Sequence, residues 1–401
     1  MEKEKPAIEG GHPVRKDFLV FGKPQINKED INEVVDSLES GWIGFGPKAK
    51  KFEELFKEYI GCSNAISVNS CTSALFLSLL VLGIKKGDEV ITSPLTFAST
   101  INVIEHLGAK PVFVDVEKNT GLIDSEKIEE KISEKTKAIL PVHLYGRPCN
   151  MEKIMEISLK YNIPVVEDAA HAIETKYKNK KIGTIGNLTC FSFYATKNIN
   201  TVEGGIITTK NNDLAEKLKL LRYHGIDRPA WSRYNTECCR HYDVLLPGYN
   251  FAFTDFHASL GIHQLERVEE NLIKRKKLVK IYLKELQGIN ELILPDYSEN
   301  NLKHSNHLFT ILLDLNKLKI NRNEFMQAMA KENIGTGIHF VSMHLTDYYK
   351  KKYGYLAEEY PNALFISERT VSLPLDISMQ EKNVFDVIKA VKKIISYYSR
   401  K

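Results

Sequence analysis

The chain has 401 residues, a formal net charge of +4, 43% hydrophobic and 26% charged residues. That length exceeds the roughly 250–300 residues over which one hydrophobic core keeps growing, so two domains are expected. Lysine and arginine are interleaved with aspartate and glutamate, which excludes a nucleic-acid face built on a basic block, and no apolar run reaches the ~18–20 residues needed to span a bilayer.

Met1 to Lys16 is polar and reads as a loosely held arm. Ile31 to Leu38 has helical spacing, and GWIGFGPK (41–48) is a glycine-punctuated loop with an exposed aromatic. From Lys51 the pattern alternates between strands and helices. Strands are expected at Asn64–Val68, Glu89–Thr92, Pro111–Asp115, Ala138–His143 and Pro164–Glu167, with helices between them, one capped by Asp124 and running to about Ile132. The apolar runs are continuous rather than alternating, as in parallel strands covered on both faces. Such repeated βα units imply a doubly wound sheet with ligands outside its carboxyl ends. Ile226 to Gly248 is a long polar loop containing Trp231. Thr254 caps a helical pattern to about Leu286, with Gly261 its weak point, and a closing amphipathic helix covers Lys382–Tyr397. The expected division is an arm (1–16), a large α/β domain (17–265) and a smaller α+β domain (266–401).

The six cysteines, at 62, 71, 149, 190, 238 and 239, form no CxxC pair. With no signal-peptide pattern they are expected as reduced thiols of a cytoplasmic enzyme. Adjacent Cys238 and Cys239 lack metal-ligand spacing, so no metal is expected.

The run Gly186–Gly205, GNLTCFSFYATKNINTVEGG, holds one lysine, Lys197, in a polar step between two strands. Burial there would favour the neutral amine that attacks a carbonyl; a solvated loop lysine is the bland alternative. Asn69-Ser70-Cys71-Thr72-Ser73 opens a helix after a strand, where hydroxyls and free N–H groups either bind an anion or simply cap the helix. Phe97 starts the next helix and is either core or a flat surface for a ring. Asp168 ends a strand and needs a partner, either a structural arginine or the protonated nitrogen of a cofactor ring. An anion site, an aromatic face, a strand-end aspartate and a lysine, in this order on βα turns, are what pyridoxal 5'-phosphate (PLP) needs.

The chain resembles the PLP-dependent sugar aminotransferases of the DegT/DnrJ/StrS family. The matching stretches are GWIGFGPK, VNSCTSALFL, GDEVITSPLTF, AKPVFVDV, PVHLYGRP, PVVEDAAHA, FSFYATKNI, EGGIITT, PGYNFAFTD and IGTGIHF. The resemblance implies a fold type I architecture, with a mainly parallel sheet between helices in the large domain. By it Lys197 would bond the cofactor aldehyde and Asp168 the pyridine nitrogen. Thr72, Ser73 and Ser192 would hold the phosphate, Phe97 would lie on the ring, and His171 would sit near the phenolic oxygen. Asn250 matches a position that reaches the phosphate from the other subunit of a homodimer. Cys71 stands where the family usually has Gly or Ala, and Ala252 where it often has Arg. Related dehydratases carry His at the lysine position, which Lys197 argues against.

RYHGIDRPAW, IGTGIHF and SERTVSLPL look most like the members that aminate UDP-4-keto-pentose for aminoarabinose synthesis. The expected reaction is therefore transamination from L-glutamate to a nucleotide-linked 4-keto sugar, for cell-surface polysaccharide or lipid modification. His339 is either a contact to sugar or diphosphate or a buried structural histidine. Two alternatives stay open: a PLP-dependent lyase or decarboxylase acting on an amino acid, and a family-like regulator without catalysis.

Overall fold

The continuous apolar runs of the first half form seven strands of one mixed sheet. A computed structural model describes residues 4–227, 242–297 and 301–400. The strands are β1 (Asn64–Val68), β2 (Glu89–Thr92), β3 (Lys110–Phe113), β4 (Thr136–Leu140), β5 (Val166–Asp168), β6 (Leu188–Ser192) and β7 (Gly205–Thr209). Two ladders, β1-β7-β6-β5 and β4-β2-β3, join through parallel bridges Ile139–Val165 and Val142–Asp168. Ile66, Val90, Ile91, Ile139, Val166 and Ile207 are completely buried between the helical layers. Each such side chain contributes about 1.5–3 kcal/mol.

The sheet is mainly parallel, as expected, with one exception. β7 runs antiparallel to both β1 and β6. The 193–204 connection that carries Lys197 holds no helix to take the chain back across the sheet, and a parallel return needs such a crossover.

A second core gathers Leu278, Tyr282, Phe309, Ile311, Val371 and Val391. It is built on an antiparallel sheet of β8 (Leu292–Ile293), β9 (Phe309–Leu313) and β10 (Thr370–Leu373), backed by helices Val268–Leu286, Arg322–Lys331 and Glu381–Tyr398. Met343, Tyr349, Tyr360, Ala363 and Ile366 pack into the first core instead, so the chain returns to the large sheet before it ends.

Several local expectations are corrected. The N-terminal segment is not loose: Ala7 N and Val14 N each donate to the buried Glu332 carboxylate at 2.8 Å, and Lys393 Nζ donates to His12 O at 2.6 Å. A polar composition concealed backbone donors that find a buried acceptor more than three hundred residues away. The helix after Asp124 is two short 3-10 turns, Ser125–Lys127 and Glu129–Lys131. The long helix breaks at Arg267 into Asp255–Glu266 and Val268–Leu286. Gly261 is no weak point, because a Cβ there would lie 2.7 Å from the Phe52 ring, and the helix needs glycine to approach that closely. Trp42 is half-buried rather than exposed, with its indole nitrogen shielded. Trp231, Cys238, Cys239 and the end of RYHGIDRPAW lie outside the described residues. Among the described residues, no helix is long and apolar enough to cross a membrane, and no group of His, Cys, Asp and Glu could hold a metal ion.

Candidate active site

The carboxyl ends of β1, β2, β5 and β6 open into a cavity of about 440 Å³ whose wall includes Phe97, Asp168, His171, Ser192, Lys197 and His339. The fold brings to this wall residues as far apart in the chain as Phe21 and Leu375. Thr72, Cys71 and Ser70 also line it.

Asp168 is the last residue of β5 and 4% exposed. Its Oδ2 accepts from Thr100 Oγ1 at 2.8 Å and its Oδ1 from Ala170 N at 3.1 Å. Burial raises its pKa above the ordinary carboxylate value, and these two bonds and the charge of Lys197 only partly oppose that. No cation is in ion-pair contact with it among the described residues. A carboxylate in this position is best satisfied by a cationic group entering the cavity.

Lys197 sits in the turn after β6, where its N–H closes onto Tyr194 O at 2.8 Å. Burial lowers its pKa to about 8 from 10.5, with Cys71 and Asp168 opposing. The low value alone does not single it out, because Lys181 is also lowered to about 8. Lys181, however, lies over the Tyr59 ring at 3.1 Å and donates to Tyr59 O at 2.5 Å, outside the cavity wall. Geometry makes the choice between them.

Also at the wall, Ser70 caps the helix Cys71–Val81, its hydroxyl accepting from Ser73 N at 3.1 Å. A Cβ on Gly205 would come within 2.6 Å of Cys71 N, so the glycine lets β7 lie against this helix start. Thr72 and Ser192 line the cavity. Ser73 does not: its hydroxyl turns inward to donate to Asn69 Oδ1 at 2.6 Å, and Ser70 takes the place at the wall that Ser73 was expected to fill. Asn250 is exposed and lies outside this chain's cavity.

Phe97 is 61% exposed at the rim, tilted against Phe340 with ring centroids 6.0 Å apart. Phe340 also stacks on His171 at 6.0 Å and 14°. His171 Nδ1 accepts from Tyr145 N at 3.2 Å, and burial and the Lys197 charge push the ring well below the usual histidine pKa. His339 bonds Ser372 Oγ through Nδ1 at 2.8 Å and is lowered to about 4 by burial. It is thus both anchored and at the cavity wall.

Thr100, His307 and Phe340 escaped the sequence analysis. Thr100 left a trace, because Thr96 and Thr100 stand four apart and their hydroxyls meet at 2.8 Å on one face of the helix start. His307 left none and Phe340 only its place in IGTGIHF, since both reach the site when the C-terminal segments fold over it.

These residues fit PLP. Among the described residues, a buried carboxylate with no ion-pair cation, a half-buried amine with no ion-pair anion and a serine-capped helix start share one cavity, and the cofactor carries a ring nitrogen, an aldehyde and a phosphate. Comparison with known proteins decides the family. The profile of the DegT/DnrJ/EryC1/StrS aminotransferase family matches residues 24–392. The chain belongs to this family. It is 51% identical over 383 residues to MJ1066 of Methanocaldococcus jannaschii, covering 96% of this chain and 99% of that protein. To the spore coat polysaccharide biosynthesis protein SpsC of Bacillus subtilis it is 45% identical over 382 residues, covering 95% and 98%. Among solved structures, Spr1654 of Streptococcus pneumoniae in its PMP form superposes with a TM-score of 0.88 at 32% identity, covering 94% of this chain and 99% of that one. Helicobacter pylori PseC, an aminotransferase involved in the biosynthesis of pseudoaminic acid, gives 0.88 at 27%, covering 96% and 100%. Spr1654 has also been solved in a PLP form. The fold and the family are those of PLP-dependent sugar aminotransferases.

Proposed function

We propose that this family member transfers the amino group of L-glutamate to a nucleotide-linked 4-keto sugar, yielding a 4-amino sugar nucleotide for polysaccharide or lipid modification. The observation that carries this reading is the pairing in one cavity of Lys197, an amine lowered to about 8, with Asp168, a buried carboxylate that has no ion-pair cation among the described residues. PLP, when bound, supplies an electron sink that stabilises negative charge at the carbon bearing the nitrogen.

The chain's own residues would do the rest. Asp168 would keep the proton on the ring nitrogen, held in place by Thr100 and Ala170. Thr72, Ser192 and the amides of the helix start at Cys71 would hold the phosphate, with Ser73 supporting Ser70 and Asn69 behind them. Phe97 would cover one face of the ring, and His171, whose Nδ1 is occupied by Tyr145, would offer Nε2–H to the phenolic oxygen. Lys197 Nζ would take a proton from one carbon and return it to another, which its lowered pKa suits near neutral pH. Glutamate would load the site and leave as 2-oxoglutarate before the keto sugar enters.

Support for the sugar comes from the relatives: SpsC is named for spore coat polysaccharide biosynthesis and PseC for pseudoaminic acid. IGTGIHF and SERTVSLPL favour a UDP-linked 4-keto-pentose, with 4-keto-6-deoxyhexoses second. The test is a panel of UDP-, GDP- and dTDP-linked keto sugars incubated with L-glutamate, read by the mass of the aminated product. Amination of none, with turnover of a free amino acid, would replace this reading by the lyase.

The working unit in this reading is a homodimer with shared sites. Asn250, exposed on its own chain, would reach the partner's phosphate. Asn250→Glu should then be inactive through like-charge repulsion with the phosphate. Mixed with Lys197→Ala, it should regain activity, because one site of the mixed dimer collects both defects and the other neither. No recovery would place Asn250 in service of its own chain.

A further inference from the structure

Asn198, the residue after Lys197, is hydrogen-bonded on both sides of its amide. Its Nδ2 donates to Glu174 Oε2 at 2.8 Å, and its Oδ1 meets His307 Nδ1 at 2.9 Å. Glu174 is fully buried and its other oxygen accepts from Arg275 Nη2. Arg275 comes from the helix Val268–Leu286, and its guanidinium can only donate. Burial raises the Glu174 pKa, while the Arg275 charge and the bonds from Arg275 and Asn198 oppose that and favour the ionised form, in which the carboxylate only accepts. The Asn198 amide therefore has one orientation, NH2 toward Glu174 and carbonyl toward His307. A carbonyl cannot donate, so the proton of His307 sits on Nδ1 and Nε2 is bare.

The ring is neutral, since burial and the charge of Lys197 push its pKa well below the ordinary value. His307 is 6% exposed, and it lines the cavity. Its Nε2 has no hydrogen-bond partner among the described residues and is not among the fully enclosed unpaired polar atoms. His171 lies 4.5 Å away, centroid to centroid, in the opposite state. There Nδ1 accepts from Tyr145 N, which leaves the proton on Nε2. Two neighbouring imidazoles thus offer the cavity one acceptor and one donor.

We propose that His307 Nε2 accepts a hydrogen bond from a hydroxyl of the sugar substrate, and that Glu174, through Asn198, is the positioning residue that sets the tautomer making this possible. The carboxylates of glutamate and the oxygens of a diphosphate are acceptors, which a bare lone pair repels; a sugar hydroxyl is a donor. The sugar half rests on the function proposed above, whereas the tautomer does not.

The test separates the two. In the apo-protein with 15N-labelled histidine, the His307 signals, assigned by their loss in His307→Gln, should report a protonated Nδ1 and an unprotonated Nε2. In Glu174→Gln the new amide should turn its oxygen to Arg275 and its NH2 to Asn198. The Asn198 amide then turns over, offers Nδ2 to His307 Nδ1, and the proton moves to Nε2. Amination of the UDP-4-keto-pentose should fall about tenfold relative to loading by L-glutamate, the scale of one lost hydrogen bond. A wild-type proton on Nε2, or an unchanged tautomer in Glu174→Gln, overturns the relay. An inverted tautomer with an unchanged ratio of the two half-reactions overturns the hydroxyl contact. If Glu174→Gln does not fold, the wild-type tautomer decides the relay. The hydroxyl contact is then read from His307→Gln, which keeps an acceptor near Nε2 and should retain more of the sugar half-reaction than His307→Leu. Equal losses in those two variants overturn it. If wild type loads from glutamate yet aminates no keto sugar, the sugar half falls together with the function it rests on, and the tautomer result stands.

Discussion

Lys197→Ala is expected to abolish transamination, with a loss of about 10³-fold or more, since its proton transfer alone is worth about 10²–10⁴. The fold should survive, because the substitution removes a half-buried amine that no carboxylate contacts among the described residues, and the melting temperature should stay level or rise. Borohydride reduction of the cofactor-loaded wild type, followed by peptide mapping, should place the pyridoxyl label on the peptide carrying Lys197. Label on another lysine, Lys181 above all, would refute the assignment. The lowered pKa has a sign that can be checked in the apo-protein. A depressed value means that the proton leaves earlier as pH rises, so reaction of Lys197 with an amine reagent should be half-maximal near pH 8, while surface lysines respond near 10.5. A Lys197 midpoint near 10.5 would show that the amine is solvated.

Asp168→Asn is expected to fold, to bind cofactor, and to lose about 10²-fold or more in turnover, equivalent to about 2.7 kcal/mol in the barrier. The surroundings can accommodate the amide. Its oxygen would keep the bond from Ala170 N, and its NH2 would face Thr100, whose hydroxyl can turn its own proton toward Thr96 Oγ1, 2.8 Å away. What the amide cannot do is hold a pyridinium proton, because it carries no charge to favour it. Crystals or thermal melts of the variant should therefore resemble wild type while activity collapses. Near-normal turnover would reduce Asp168 to a structural residue.

Much of this was legible in the amino-acid sequence. Apolar runs without alternation announced β1, β2, β4 and β5, because a strand covered on both faces has no polar side to display. Polar residues at the ends of such runs, Asp168 and Lys197 foremost, stood out because burial beside an apolar strand is costly without a function or a partner. Local rules also located Ser70, whose capping of the next helix is decided within four residues.

Other features were decided only by the tertiary structure. The antiparallel β7 depends on how the Lys197 turn returns, and periodicity carries no sign of strand direction. Ser73 and Ser70 are alike in residue type, and only the bond from the Ser73 hydroxyl to Asn69 Oδ1 turns it inward and leaves Ser70 at the wall. Lys197 and Lys181 are alike in their lowered pKa, and they are distinguished by what lies opposite each: an open cavity or the face of Tyr59. The tautomer of His307 is the furthest removed from sequence. It follows from Arg275 through Glu174 and Asn198, four residues from four segments, because a chain of hydrogen bonds transmits the direction of its donors only once every member is in place.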